Sequence, residues 1–293
     1  MFRNVLVGVD ERPGGGDAIA LGRDLLAKDG ELTLAYVHLG EAKPSRGASP
    51  AFQAAEEERS RELLEAARIE AGVDAGLAWT GSPSVGRGLH ELAERRGTDL
   101  LVVGSTHRGL IGRVLIGDDT RDALNGAPCA VAIAPAGYSE RPVHWREIGV
   151  GYNGSPESEH ALAVAREFAS DVGAKVSALE VVSLPFDGSG TGEAIGPLVA
   201  EARARIAALG NVEPHAVYGA PGEELALYGA SVDLLIVGSR GYGPIGRLVH
   251  GSTSQRLAHT ARCPLLVLTR AAESSRDRDN VDAEHQAVGA PTT

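Results

Sequence analysis

Asp-Leu-Leu-Ile-Val-Gly-Ser at residues 233–239 nearly repeats Asp-Leu-Leu-Val-Val-Gly-Ser at residues 99–105, with an offset of 134 residues. The same offset pairs later residues, namely Gly109 with Gly243, Gly112 with Gly246, Gly117 with Gly251, and Cys129 with Cys263. Near the start of each half the offset is 143, so that Gly8-Val9-Asp10 aligns with Gly151-Tyr152-Asn153. A fixed period of this length indicates a duplicated domain, and loops are expected to absorb the difference of nine residues.

Each half alternates short apolar runs with helical patterns. The runs are nearly continuous, as in parallel strands that are buried on both faces, and Ser158 to Val172 carries apolar residues at helical spacing. The predicted strands are Val5–Val9, Leu32–His38, Leu77–Thr80, Asp99–Val103 and Ala130–Ala134, then Ile148–Gly151, Val176–Val182, His215–Tyr218, Asp233–Val237 and Leu265–Thr269. The predicted fold class is therefore α/β, with two repeated doubly wound domains, each a five-stranded parallel sheet flanked by helices.

The duplication predicts one domain over residues 1–137 and a second over residues 146–270. Residues 136–145 contain Gly, Ser and Pro and are interpreted as the linker. Residues 271–293 are rich in Ser, Asp and Glu and show no apolar period, which predicts a disordered tail.

Composition excludes several classes of protein. The 293 residues carry a formal net charge of −11 without a cluster of Lys or Arg, so nucleic acid is not an expected partner. No apolar run reaches the roughly 18 residues that cross a bilayer, and Met1 to Val7 lacks a leader pattern, so we expect a cytoplasmic protein without a membrane partner. Cys129 and Cys263 lie far apart outside any metal-binding spacing and are interpreted as buried apolar residues.

The loop after residue 237 contains the residues that indicate a ligand-binding site. It places Gly238, Gly241, Gly243 and Gly246 directly after a predicted strand, and Gly251-Ser252-Thr253 before a helix. Glycines let backbone N–H groups approach an anion, and a helix N-terminus adds unpaired donors. This loop is predicted to hold phosphates. The plainer alternative is a tight strand-to-helix turn with a serine cap.

Two other nucleotide motifs do not fit. Gly241, Gly243 and Gly246 match the dinucleotide fingerprint, but they follow the fourth strand of their half, and no acidic residue comes about 20 positions later. A P-loop of the form GxxxxGK[ST] is absent from the sequence.

The spacing of Gly238, Gly241, Gly251 and Ser252 resembles the ATP-binding motif of the universal stress protein family. The resemblance extends to Val7-Gly8-Val9-Asp10, to the ending Cys-Pro-Leu-Leu-Val at residues 263–267, and to the repeat itself. It covers nearly everything before residue 270 and implies a tandem member. It also implies strand order 3-2-1-4-5 in each domain, a bound adenine nucleotide, and pairing of the two domains through their closing strands.

The resemblance also assigns residues. It implies that the phosphates lie on Gly238, Gly241, Gly251, Ser252 and Thr253. It implies that Asn153 faces the nucleoside and Val181 the adenine. The corresponding residues of the first half are Asp10, Val37, Gly104 and Gly117.

The two halves differ at this motif. Asn153 replaces the charged Asp10 but keeps an amide that can bond a ribose hydroxyl or a base edge. The first half has His107 in place of the middle glycine and Asp118 in place of the hydroxyl of Ser252. A carboxylate beside phosphate costs on the order of 1–4 kcal/mol at effective dielectric constants of about 80 to 20. The first site is therefore expected to be weak or empty, unless protonated His107 or a cation bridging Asp118 offsets the repulsion.

No set of residues in the sequence requires catalysis. The nine histidines are scattered, and the second-half loop offers Arg240 and Arg247 but no evident acid for Mg²⁺. The favoured hypothesis is an ATP-binding regulatory protein of stress adaptation, whose nucleotide, alone or with Mg²⁺, biases domain pairing or partner binding. It also allows a homodimer. The alternatives are an ATP-using enzyme, either a slow hydrolase or an adenylating type, and a scaffold without a ligand.

Overall fold

The computed structural model describes residues 1–10, 14–40, 50–105, 122–141, 144–183, 195–239, 257 and 263–268. The predicted tail at residues 271–293 and most of both glycine loops lie outside the described residues.

Both halves repeat one order of strands and helices. The first half contains β1 (Phe2–Gly8), α1 (Gly14–Leu25), β2 (Leu26–Leu39), α2 (Pro50–Ala71), β3 (Gly76–Ser82), α3 (Val85–Arg96), β4 (Leu100–Gly104) and β5 (Ala130–Ala134). The second contains β6 (Glu147–Gly151), α4 (Pro156–Val172), β7 (Lys175–Val182), α5 (Ile195–Ala207), β8 (Glu213–Tyr218), α6 (Pro221–Tyr228), β9 (Leu234–Gly238) and β10 (Leu265–Leu268).

The largest departure from the predicted elements is β2, which begins at Leu26 instead of Leu32. Residues 26–31 are mostly polar or half-exposed, so they carry no apolar strand pattern. They pair with the start of β1 across an irregularity, because Phe2 pairs with Leu26 and Asn4 with Glu31.

All ten strands form one sheet in the order β3-β2-β1-β4-β5-β10-β9-β6-β7-β8. Each half has the predicted 3-2-1-4-5 order, with parallel pairing inside the half. The halves meet where β5 and β10 pair antiparallel, with Leu265 opposite Ile133 and Val267 opposite Val131. Pairing of the halves through their closing strands is thus confirmed.

The aspartate of the repeated heptapeptide fixes the first strand of its half. Asp99 accepts hydrogen bonds from the backbone N–H groups of Arg3 (2.8 Å) and Asn4 (3.0 Å). Asp233 accepts from those of Arg146 (2.7 Å) and Glu147 (2.9 Å). A charged acceptor makes a stronger hydrogen bond than a neutral one, so each aspartate ties the start of its central strand to the strand beside it.

Helices cover both faces of the sheet. Residues of α1, α2, α4 and α5 pack on one face around Leu34, Leu100, Ile148 and Leu234. Residues of α3 and α6 pack on the other face around Leu101 and Leu235. The central strands β4, β5, β9 and β10 are buried on both sides, as their continuous apolar sequences predict.

The segment between the halves is bonded to α1. The Asp17 carboxylate is 2% exposed and accepts hydrogen bonds from Gly137 N, Ser139 N and Ser139 Oγ, each at 2.8 Å. Tyr138 is buried and its hydroxyl donates to Asp24 Oδ2 at 3.0 Å. The described part of the predicted linker is therefore anchored to the first half, which its Gly and Ser content does not predict.

Among the described residues, no helix is both long enough and apolar enough to cross a membrane.

Candidate functional site

The sheet brings the predicted residues of each half to the carboxyl ends of its central strands. In the second half, Gly151 of β6 pairs with Leu179 of β7 and with Val237 of β9. Asn153, Val181 and Gly238 follow these three residues by one or two positions. They therefore share one edge of the sheet, at the crossover where ligands of open α/β sheets bind.

The first half builds the same edge. Gly8 of β1 pairs with Ala35 of β2, and Val7 pairs with Val102 of β4. Asp10, Val37 and Gly104 accordingly lie together, with Asp10 exposed and Val37 only 7% exposed. The remaining predicted residues, Gly117, Gly241, Gly251, Ser252 and Thr253, fall outside the described residues.

The two edges lie on opposite sides of the molecule. Because β5 and β10 run antiparallel, the carboxyl end of β5 at Ala134 and that of β10 at Leu268 point in opposite directions. The edge with Asp10 and the edge with Asn153 therefore cannot contribute to one shared site.

Asn153 belongs to the turn that starts α4. Its Oδ1 accepts from Ser155 N (3.1 Å), and its own N–H donates to Ser158 Oγ (3.3 Å). Ser155 caps the helix by accepting from Ser158 N (3.3 Å), and Pro156 occupies the first turn. Asn153 itself is exposed, and its amide nitrogen has no hydrogen-bond partner within the described ranges. The side chain is held by its oxygen and presents its donors to solvent.

Gly238 is required by packing. A Cβ at this position would overlap the carbonyl group of Glu157, the second residue of α4, and would lie 2.8 Å from Glu157 Cβ. No real Cβ contact is that close, and backbone atoms cannot move aside as a flexible side chain can. The first glycine of the motif thus lets the end of β9 touch the first turn of α4, whatever it does for a ligand.

This contact brings the backbone of an acidic residue to the first glycine of the motif. Glu157 is 8% exposed and lies beside Gly238, although the two are 81 positions apart in the chain. The sequence pattern of the loop does not indicate this residue, because Glu157 belongs to the start of α4. Gly14 occupies the equivalent position in the first half, so only the second half carries this carboxylate.

A serine follows the first glycine of each motif. The backbone N–H of Ser239 donates to Leu268 O (3.0 Å), and that of Ser105 donates to Ala134 O (2.9 Å). Both side chains are buried, and neither hydroxyl has a hydrogen-bond partner in the part of the chain that the structure describes. Each serine is the last residue of the repeated heptapeptide. This repetition is the sequence feature that could have indicated the position.

Among the described residues, the two cysteines do not form a reactive site. Burial raises the pKa of both thiols, Cys129 and Cys263, to about 12, which makes them unreactive near neutral pH. Within the described residues, no group of three or more His, Cys, Asp or Glu side chains is arranged to hold a metal ion.

Known proteins are similar in sequence to parts of this chain. A universal stress protein of Mycobacterium tuberculosis is 32% identical over 183 residues, which cover 58% of this chain and 61% of that protein. One from Thermus aquaticus is 31% identical over 140 residues, which cover 42% of this chain and 98% of the relative. The match therefore spans about three fifths of the mycobacterial protein and nearly all of the shorter one.

Solved structures show the same fold at lower identity. A universal stress protein from Archaeoglobus fulgidus superposes with a TM-score of 0.66 at 19% identity, covering 91% of this chain and 98% of that one. A putative universal stress protein from Pseudomonas aeruginosa gives 0.60 at 17% identity, covering 94% and 96%. The model of the universal stress protein family matches residues 1–135 and again residues 144–269. The chain therefore belongs to the universal stress protein family, as a tandem member with one match in each half.

Proposed function

We propose that the protein binds one adenine nucleotide, ATP, in its second half and acts as a cytoplasmic regulatory protein of stress adaptation. Nucleotide occupancy would bias the pairing of the halves or the binding of a partner. The observation that carries this proposal is the meeting of Asn153, Val181 and Gly238 at one edge of the sheet, directly before the glycine loop. This is the position at which parallel sheets bind nucleotides.

The stoichiometry follows from the arrangement of the halves. The two edges face opposite directions, so the described residues of the second half lie away from the first-half edge. Asp118, at the position of Ser252, sets a carboxylate where the family motif has a hydroxyl. Repulsion between that carboxylate and phosphate leaves the second half as the single strong site.

The test is to purify the protein under native conditions and to identify and count any retained nucleotide by mass spectrometry. Calorimetric titration of the stripped protein with ATP follows, with and without Mg²⁺. We expect one adenine nucleotide per chain. No binding in either measurement contradicts the proposal, and two equivalents contradict the assignment to one half.

Slow ATP hydrolysis is a second candidate, and the position of Glu157 favours it. An ATP-using enzyme needs a carboxylate beside the phosphates to hold Mg²⁺ or to orient water. The backbone of Glu157 contacts the first glycine of the motif, so this residue lies at the edge from which the loop departs. Comparing phosphate release by the wild type and Glu157→Gln tests this candidate. It fails if the wild type releases no phosphate above background, or if the two proteins release it at the same rate.

A further inference from the structure

The ten-stranded sheet ends at two outermost strands, β3 in the first half and β8 in the second. β3 pairs with β2 and β8 pairs with β7, and within the described ranges no strand pairs with the outer side of either. Unpaired backbone groups on the outer side of a sheet can accept an added strand from another chain, and proteins block them with proline or charged residues. The two outermost strands differ in this respect.

Hydrogen bonds at the end of β3 show which of its residues face outward. The Ser82 carbonyl accepts from Gly40 N at 3.1 Å, so Ser82 faces β2. The backbone groups of successive residues point to alternate sides of a strand, which directs those of Leu77 and Trp79 to the outer side. Arg96 Nη2 donates to Leu77 O at 3.5 Å, in agreement with this direction. Among the described residues, this long bond is the single one found to the outward groups of Leu77 and Trp79.

The same reasoning shows that the outer side of β8 is blocked. Gly219 N donates to Val182 O at 3.1 Å, so Gly219 faces β7. The residues at alternate positions, Pro214, Ala216 and Tyr218, therefore face outward. Proline has no N–H group and cannot donate to an added strand, and it is tolerated on the outer side of a sheet for the same reason.

The first half has Leu77 at the position of Pro214. Thr80 and Val217 pair with the equivalent valines of β2 and β7, and Leu77 and Pro214 each lie three positions earlier. Neither proline nor a charged residue occurs in Gly76–Ser82. The outer side of β3 therefore lacks the residue that blocks the outer side of β8.

We propose that β3 is an interface at which two copies of this chain associate, by antiparallel pairing of their β3 strands about a two-fold axis at Ala78. Leu77 of each copy exchanges both of its backbone hydrogen bonds with Trp79 of the other, which gives four bonds in all. The register follows from exposure. Gly81 and Ser82 are buried, so the accessible segment is residues 76–80, and Ala78 is its centre.

The side chains fit this register. Leu77 and Trp79 are half-buried against the core on the α2 face, and pairing sets the leucine of one copy opposite the tryptophan of the other, which is a favourable cross-strand pair. Ala78 lies opposite its own copy in a pair without hydrogen bonds, where the Cα atoms approach to about 4.5 Å and a small side chain is suitable. The paired segment brings no like charges together.

The contrast between β3 and β8 identifies the occupant as a second copy and limits the assembly to two. Pairing of β3 with β8 of the next copy is heterologous and generates an open filament, but Pro214 removes a donor that such pairing needs. Pairing of β3 with β3 is isologous, so it closes after two copies. The two β8 strands then remain at the outer ends of a continuous sheet.

Leu77→Pro in the full chain tests the interface. It copies the arrangement at Pro214, and the fold tolerates it because Leu77 N lies outside the pairing with β2. Sedimentation velocity over a dilution series measures association, and we expect a wild-type dimer with a Kd on the order of 10 µM, since one strand pair is a small interface. Leu77→Pro should keep the wild-type circular dichroism and raise this Kd at least about 30-fold, because two of the four hydrogen bonds are lost.

Leu227→Ser is the matched control. Leu227 is 61% exposed on α6 of the second half, so this change removes exposed apolar surface away from β3. It should leave the Kd of the dimer within twofold of the wild type. An equal loss of association in Leu227→Ser and Leu77→Pro would assign the dimer to general hydrophobic contact and overturn the inference.

Amide hydrogen exchange of the wild type provides a test that does not depend on the folding of a variant. We expect peptides that cover residues 76–80 to exchange more slowly at high protein concentration than at low concentration, whereas peptides of β8 exchange equally at both. Exchange of residues 76–80 that does not depend on concentration contradicts the interface. A wild type that stays monomeric up to about 1 mM, or a Kd of Leu77→Pro within threefold of the wild type, also overturns it. These measurements need no nucleotide, so they are independent of the proposed ATP site.

Discussion

The two halves share their framework and differ in what they present to a ligand. Asp99 and Asp233 bond the first strand of each half in the same way, and Ser105 and Ser239 occupy the same buried position. The differences are concentrated at the carboxyl edge, in the pairs Asp10 and Asn153, Gly14 and Glu157, His107 and Gly241, and Asp118 and Ser252. The comparison teaches that the strand pairing and its supporting hydrogen bonds are kept in both halves, while the residues at the carboxyl edge differ.

One difference lies in the core. The first half has the fully buried Leu6 on β1, and the second has Gly149 at that position of β6. The space is filled by Val232 and Tyr228, because a Cβ on Gly149 would lie 2.8 Å from Val232 Cγ1 and 2.9 Å from Tyr228 Cε1. The Tyr228 hydroxyl lies 2.5 Å from Ser177 Oγ, and burial raises the pKa of this tyrosine. The halves thus reach the same packing with the large side chain on different elements.

The largest effect is expected from a substitution that removes the proposed ATP site of the second half. Gly241→Asp should abolish ATP binding, because it adds a carboxylate beside phosphate and removes a glycine that allows close backbone approach. Calorimetric titration measures the loss. The matched control is His107→Asp at the equivalent position of the first half, which should leave the single binding event unchanged. If Gly241→Asp binds ATP as tightly as the wild type does, the assignment of the phosphates to this loop is contradicted.

Removing the carboxylate from the loop of the first half should make the two halves more alike in ATP binding. Asp118→Ser removes a carboxylate from the first loop, and we expect ATP binding there to strengthen by about 1–3 kcal/mol because like-charge repulsion is relieved. Stoichiometry by calorimetry should rise from one toward two. A stoichiometry that stays at one, with no second weak isotherm, would show that His107 or another residue also blocks the first site.

Gly238→Ala tests whether the first glycine serves packing. Its Cβ would overlap the Glu157 backbone, so the free energy of unfolding should fall by about 1–3 kcal/mol even without nucleotide. Urea unfolding provides the measurement. The control is Gly196→Ala in α5, where a Cβ meets nothing within 4 Å and alanine favours the helix, so stability should be equal or slightly higher. Equal stability of Gly238→Ala and the wild type would rule out the packing role.

The linker contacts should have a smaller effect. Asp17→Asn replaces one acceptor oxygen with a donor that faces other donors, and should lower the free energy of unfolding by about 1–2 kcal/mol. Tyr138→Phe removes one hydrogen bond to Asp24 and should cost about 1 kcal/mol or less. Urea unfolding of both variants ranks them. The anchoring of the linker through Asp17 is contradicted if Asp17→Asn is the milder change.

The smallest difference between the halves is expected at the cysteines. Burial raises the pKa of Cys129 and of Cys263 to about 12, compared with about 8.5 for an exposed thiol. Each thiol is neutral in both states below pH 8.5, so its contribution to stability is complete there and is lost as the pH rises toward 12. Alkylation at pH 8 should therefore label neither thiol in the native protein and both after unfolding. Rapid labelling of one thiol in the native state would show that the halves differ here too.

Several features were predictable from the residues. The repeat and the continuous apolar runs of β4, β5, β9 and β10 gave the α/β class and the two halves, because a strand buried on both faces leaves a local signature. The strand order came from family resemblance and not from periodicity. The start of β2 at Leu26 was missed, because residues 26–31 lack the apolar pattern of a buried strand, and only Leu26 and Glu31 among them pair with β1.

The sequence by itself determined the duplication, the class of fold, and the contrast between Ser252 and Asp118, since all three depend on residue identity and local order. Only the tertiary structure decided that Glu157 lies against Gly238, that Asp17 holds Gly137 and Ser139, and that the two carboxyl edges face opposite ways. The physical reason is sequence separation. These contacts join residues about 80 to 130 positions apart, and no local propensity or period encodes which distant backbone groups will meet when one strand pairs antiparallel with another.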